Sequence, residues 1–222
     1  MKKSYFALSM ILLAICILTT KSVSANEISQ TENYFTEDDI VNWEQTILNN
    51  ANNEYPIGDT KGNNGRVYRA ASGEWTWRDG VICITDSKAI TPLFNNGHAG
   101  IIAAAPYYYA TIEANPRDGV QPKYGNWNDR FSTNMVYQYG VKRTSVTQDQ
   151  NAAKWAARQI GKQYNYQFFN INRRDKFYCS QLVWAAYRDT AKVDIGTWEW
   201  GSAIHPFELM SSNETTLIYR NK

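Results

Sequence analysis

The chain has 222 residues, with 23 Lys and Arg against 21 Asp and Glu, a formal charge of +2 and a pI of about 8.3. The excess cations Lys2, Lys3 and Lys21 all fall in the first 25 residues, which hold no acid, so the remainder carries 20 basic against 21 acidic residues and a formal charge of −1. That balance excludes a nucleic-acid or anionic-membrane partner recognised by bulk charge; the length suffices for one domain with its own core.

Met1-Lys-Lys, an apolar run from Tyr5 to Leu18 and the small residues of Ser22-Val-Ser-Ala25 make a secretory leader, with cleavage expected after Ala25. The run is shorter than the roughly 20 residues that cross a bilayer, so no stable membrane insertion is expected after cleavage. Cys16 follows Ile15, where a lipid-attachment site would place a small residue. A secreted, extracellular and monomeric protein is expected, free or associated with the cell wall. Two cysteines remain, Cys83 and Cys179, which an oxidising compartment could join. The 8 Trp and 15 Tyr are many for this length and fit an exported protein that handles sugars or peptides.

Thr36-Glu-Asp-Asp39 resembles a capping box, and Ile40, Val41, Trp43, Ile47 and Leu48 follow at helical spacing, predicting a helix over 37–50. Residues 49–65 read as a loop, so 26–65 form an N-terminal helix and loop ahead of a domain over 66–222. Strands are predicted over 66–71, 74–78 and 81–85, separated by Ser72-Gly73 and Asp79-Gly80. Two more, 98–105 and 107–114, flank Pro106. Residues 115–133 read as a long loop and 135–142 as a strand. Thr147-Gln-Asp-Gln150 suggests a capping box for a helix ending at Gly161, and 215–219 is a closing strand. The order of elements argues an α+β fold.

Candidate chemistry centres on Asp175-Lys-Phe-Tyr-Cys-Ser-Gln-Leu-Val-Trp-Ala-Ala-Tyr187. Leu182, Val183 and Ala186 follow Cys179 at i+3, i+4 and i+7, one face of a helix that starts at the cysteine. A thiol in a first helical turn meets unpaired N–H groups and the positive end of the dipole, which favour the thiolate. A cysteine taken alone is more often a small packing residue. Unless a carboxylate serves, a base comes from His98 or His205, the two histidines. His205, before Pro206, reads as surface or local packing. His98 opens an apolar strand. With a two-residue turn at Ala105-Pro106, residue 98 faces residue 113, which sets Glu113 beside His98 as an orienting carboxylate or a structural ion pair. A slip of one residue would turn Glu113 to the other face.

Gly161-Lys-Gln-Tyr164 followed by Phe177-Tyr-Cys-Ser-Gln-Leu-Val183 resembles the signature of NlpC-type papain-like cysteine peptidases. Because His98-Ala-Gly-Ile and Ile112-Glu-Ala114 come first, the order is similar to that of the circularly permuted YiiX/YebB-like (YycO-like) amidases over roughly residues 78–219. The resemblance implies a circularly permuted papain-like α+β fold, a central antiparallel sheet packed against helices that include the nucleophile helix. It implies Cys179 as nucleophile, His98 as base, Glu113 as orienting residue and Tyr164 as an oxyanion donor. No cofactor and no metal are implied. The partner would be a peptide or peptidoglycan fragment cleaved at an amide. A lipid acyl hydrolase or acyltransferase, or a silent binding module, are the alternatives. Relatives carry Gly-Asp-Ile before the histidine strand, where this chain reads Asp79-Gly80-Val81.

Overall fold

The computed structural model describes residues 37–56, 73–88 and 96–221. The leader over 1–25 and the strand expected over 66–71 lie outside the described residues. The elements are α1 (Glu37–Asn53), β1 (Ile82–Lys88), β2 (Asn96–Ile102), β3 (Ala110–Asn115), β4 (Gly119–Tyr124), α2 (Trp127–Arg130), β5 (Val136–Val141), α3 (Val146–Ala157), β6 (Gln163–Tyr164), β7 (Lys176–Phe177), α4 (Cys179–Ala191), α5 (Glu208–Ser211) and β8 (Thr215–Arg220).

Six strands form one sheet in the order β4-β3-β2-β1-β5-β8, every neighbouring pair antiparallel. Both faces are buried. Ile82, Ile84, Ala99, Ile101 and Ile112 are fully buried on one, where α3 and α4 lie against β2 and β3. The other carries Cys83, Ile102, Val136 and Ile218 under Trp127, with Trp75, Trp77 and Phe131 packed around them. The fold is α+β, as the order of elements argues.

Three expectations change. Residues 74–78 form no strand: Gln138 takes up the Thr76 N–H and C=O at 2.9 and 2.8 Å, so the segment runs beside the ladder without joining it. Residues 115–133 are not a plain loop but hold β4 and α2. Gly119 and Pro122, read as loop signals, are tolerated because β4 is an edge strand that needs no full set of N–H donors. The capping box of α3 is Ser145 with Gln148, two residues before the expected one, and Asp149 is buried instead, bonded to Thr144 and Arg78.

The β2–β3 hairpin also differs from the two-residue turn. Ile101 pairs with Ile112 and Ile102 with Thr111, joined by a longer connection closed by Ala103 N–H to Ala110 O at 3.0 Å. This is a shift of two residues from the expected register. An even shift leaves every side chain on its original face.

Candidate active site

Cys179 is the first residue of α4, whose 13 residues are buried through the stretch from Cys179 to Tyr187. Two features fix where that helix begins. The Gln181 side chain accepts the Tyr178 N–H at 3.2 Å, and the buried Tyr178 hydroxyl accepts the Ile204 N–H at 3.0 Å. Gln181 then donates to the carbonyl of Ile171 at 3.0 Å and receives Asn165 at 3.0 Å, tying down the preceding loop.

His98 lies at the head of β2, where pairing with β3 has stopped. In that gap the Cys179 sulfur meets the His98 ring and the N–H groups of Ala99 and Ser180. The His98 Nε2 faces Glu113 Oε2 at 2.8 Å, which leaves Nδ1 as the nitrogen for the sulfur. Gly100 makes the reach across the register shift possible. A Cβ there would come within 2.9 Å of Glu113 Cγ and 3.0 Å of Trp127. The Trp127 ring stacks on the imidazole, centroids 5.6 Å apart and 12° from parallel.

The carboxylate is itself held. Arg130 grips Glu113 with both terminal nitrogens, at 2.7 and 3.1 Å, and the Thr111 hydroxyl donates to Oε1. Trp127 Nε1–H donates to Thr111 at 3.0 Å, completing a network on one face of β3. Thr111 shares that face with Glu113 by strand alternation, a signal present in the sequence. Arg130 comes from α2, within the stretch read as loop, and no local pattern announces it.

These neighbours set the charges. Burial pushes the Glu113 carboxyl up, but His98 and Arg130 outweigh it and hold it down at about 2. For His98, burial disfavours the cation, and the Cys179 sulfur and Glu113 more than restore it, raising the ring well above the usual histidine range. Burial raises the Cys179 thiol, whereas His98 and the two backbone N–H groups bring it net below an ordinary cysteine. Both shifts favour a thiolate beside an imidazolium. Cys83 is the opposite case: burial outweighs the Gln138 amide that donates to its sulfur at 3.6 Å and pushes its thiol far up, and both cysteines are free rather than joined.

Tyr164 reaches the same cleft through a short parallel pairing of β6 with β7, in which it stands beside Phe177, two residues before Cys179. Burial and the nearby sulfur keep its phenol protonated, hence a hydrogen-bond donor. Tyr164, Cys179, His98 and Glu113 line a cavity of about 440 Å³ whose outer wall is the β3–β4 turn. His205 lies outside that cavity. It is fully buried, bonds Glu44 of α1 at 3.0 Å and accepts the Phe207 N–H, so it is packing rather than surface. Gly80, with φ of +86°, accounts for the Asp-Gly order before β1: a Cβ there would stand 2.5 Å from the Asp149 carbonyl oxygen.

Residues 83–211 match the model of a family described as permuted papain-like amidase enzyme, YaeF/YiiX, C92 family. The chain belongs to the permuted papain-like amidase family. The permutation is visible in chain order, with the histidine strand β2 ahead of the cysteine helix α4. Within the curated proteins, the chain is 31% identical over 137 residues to the uncharacterized protein YycO of Bacillus subtilis, covering 60% of this chain and 52% of that one. The chain thus spans about half the length of this relative. Among solved structures it is similar to one titled metalloprotein yiiX from Escherichia coli O157:H7, with a TM-score of 0.48 and 16% identity, over 65% of this chain and 99% of the other.

Proposed function

We propose that this family member is an exported thiol amidase that cleaves an amide of a cell-wall peptide, acting as a monomer. The observation that carries the reading is the line-up of Cys179, His98 and Glu113 at one cleft, with a thiol depressed and an imidazole raised by each other. Such a pair supplies a nucleophile and an acid in one resting state.

The chemistry follows from the atoms present. The Cys179 sulfur bonds to the acyl carbon, and the carbonyl π pair moves to its oxygen. The Cys179 N–H and the Tyr164 hydroxyl would donate to that oxygen, the kind of fixed donor worth about 3 kcal/mol apiece. His98 gives its proton to the amide nitrogen as the C–N bond breaks, leaving a thioester. It then takes a proton from water, which attacks the thioester and releases acid and thiolate. Glu113, clamped by Arg130, keeps the ring oriented and favours its charged form.

Export rests on the leader-like residues 1–25, and a wall peptide is the substrate that an exported amidase of this family would meet. One similar structure is titled a metalloprotein. Among the described residues of this chain no group of three or more His, Cys, Asp or Glu side chains is arranged to hold a metal. The test is incubation of the chain with defined wall peptides and reading of products by mass. The expected result is two fragments that together gain one water, absent in Cys179→Ala. Equal cleavage by that variant, or fatty acid released from phospholipid while wall peptides stay intact, would overturn the proposal.

A further inference from the structure

The cleft lining includes donors that nothing in the catalytic network uses. β3 ends at Asn115, which shares its face with Thr111 and Glu113 by alternation and lines the cavity beside Glu113. The Asn115 Nδ2 is buried and has no hydrogen-bond partner among the described residues. A buried donor left unpaired is costly, so a site that keeps one open gains when a ligand atom accepts from it. Two residues on, Arg117 also lines the cavity, exposed and without an acidic partner among the described residues. The other cations of this wall are committed: Arg130 to Glu113 and Lys123 to Asp118 at 2.5 Å.

The turn that carries these donors is held in place. The Val120 N–H donates to Lys162 O at 2.8 Å and the Gly161 N–H to Val120 O at 2.9 Å. Tyr166 donates to Pro116 O at 2.8 Å. Gly119 has φ of +66°, and a Cβ on it would stand 2.1 Å from the Lys162 carbonyl oxygen. The turn is therefore locked to the segment that ends in Tyr164, so its donors keep a fixed relation to the oxyanion position.

We infer that Asn115 and Arg117 form a subsite for a carboxylate carried by the acyl portion of the substrate. This rests on the thiol-hydrolase reading above and names what the substrate must bear beside the scissile carbonyl. One free guanidinium with one amide N–H matches a monoanion. A phosphate monoester would call for more uncommitted cations than this wall provides.

The experiment uses three N-acetylated chloromethyl ketone probes on the full chain, made from the α-carboxyl of glutamate, glutamine and phosphoserine so that the side chain sits on the acyl side, following alkylation of Cys179 by mass. The glutamate probe is expected to react about tenfold faster than the glutamine probe, the worth of one charge-assisted hydrogen bond. That ratio is expected to fall toward one in Arg117→Gln, and part of the way in Asn115→Ala. Equal rates for the two probes, a preference that survives Arg117→Gln, or a stronger preference for the phosphoserine probe would each overturn the inference. If instead no probe labels Cys179 faster than Cys83, it is the thiolate reading that fails, and the two failures are told apart.

Discussion

Glu113 is the side chain on which the charge state of the site turns. It is 1% exposed and shares its two oxygens among His98, Arg130 and Thr111. Its carboxyl titrates at about 2 in the fold, against about 4.3 for a free glutamate. A depressed pKa contributes stability that is present above the unfolded value and is lost as pH falls toward the folded one. The chain is therefore expected to lose stability between about pH 4.3 and 2 through this residue. Arg130→Met should raise the folded carboxyl pKa, so that the acid loss is smaller and ends at a higher pH, and should cost about 1–3 kcal/mol near neutrality in urea melts; an unchanged acid limb would contradict the role given to Arg130. His98 has the opposite sign. Its raised pKa contributes stability that is full below about 6.5 and declines as pH rises through the folded value. Tyr164→Phe removes one oxyanion donor and nothing from the sulfur–imidazole pair. Its turnover on a cleaved wall peptide should fall about a hundredfold, with Cys179 alkylation little changed.

The hairpin of β2 and β3 shows what strand periodicity can and cannot specify. The alternation of His98, Gly100, Thr111 and Glu113 places them on one face whichever odd register sum the turn enforces, so the neighbourhood of histidine and carboxylate was legible while the pairing itself was not. The turn is longer than two residues because its length depends on how residues 103–109 pack, which nothing local encodes. Cys179 and Tyr164 were legible because helix spacing and a short local motif mark them. Arg130 was not, because its partner is a carboxylate contributed by another element. β4 was hidden by Gly119 and Pro122, residues that only an edge position excuses. The shifted register makes Gly100 a critical position, since Glu113 crosses above its bare α-carbon to reach His98. Gly100→Ala should displace Glu113 or Trp127 and slow Cys179 alkylation near pH 6 by about tenfold or more, a fall set by the lost hydrogen bond of the carboxylate to the ring. A full alkylation rate in that variant would show that the ring needs no carboxylate.

Across the whole molecule, the two histidines divide their work. His98 serves the cleft, whereas His205 joins the C-terminal segment to α1 through Glu44, its neighbour across 161 positions of sequence. Trp43 packs edge-on against both His205 and Trp200, and Arg220 donates to the carbonyl of Ala51 at 3.1 Å, so both chain ends of the compact unit meet on this helix. His205→Ala is expected to cost about 2–4 kcal/mol by leaving a cavity and a buried carboxylate without this partner. Cys179 reactivity should survive in that variant below its lowered melting temperature. The central claim is that Cys179 rests as a thiolate paired with His98. Alkylation by iodoacetamide, mapped by mass for each cysteine from about pH 5 to 9, tests it most directly. The account predicts that Cys179 reacts about a hundredfold faster than Cys83 near pH 6, and that His98→Ala pushes its reactivity up toward the pH of an ordinary buried thiol. Slow and equal labelling of the two cysteines across that range would contradict it.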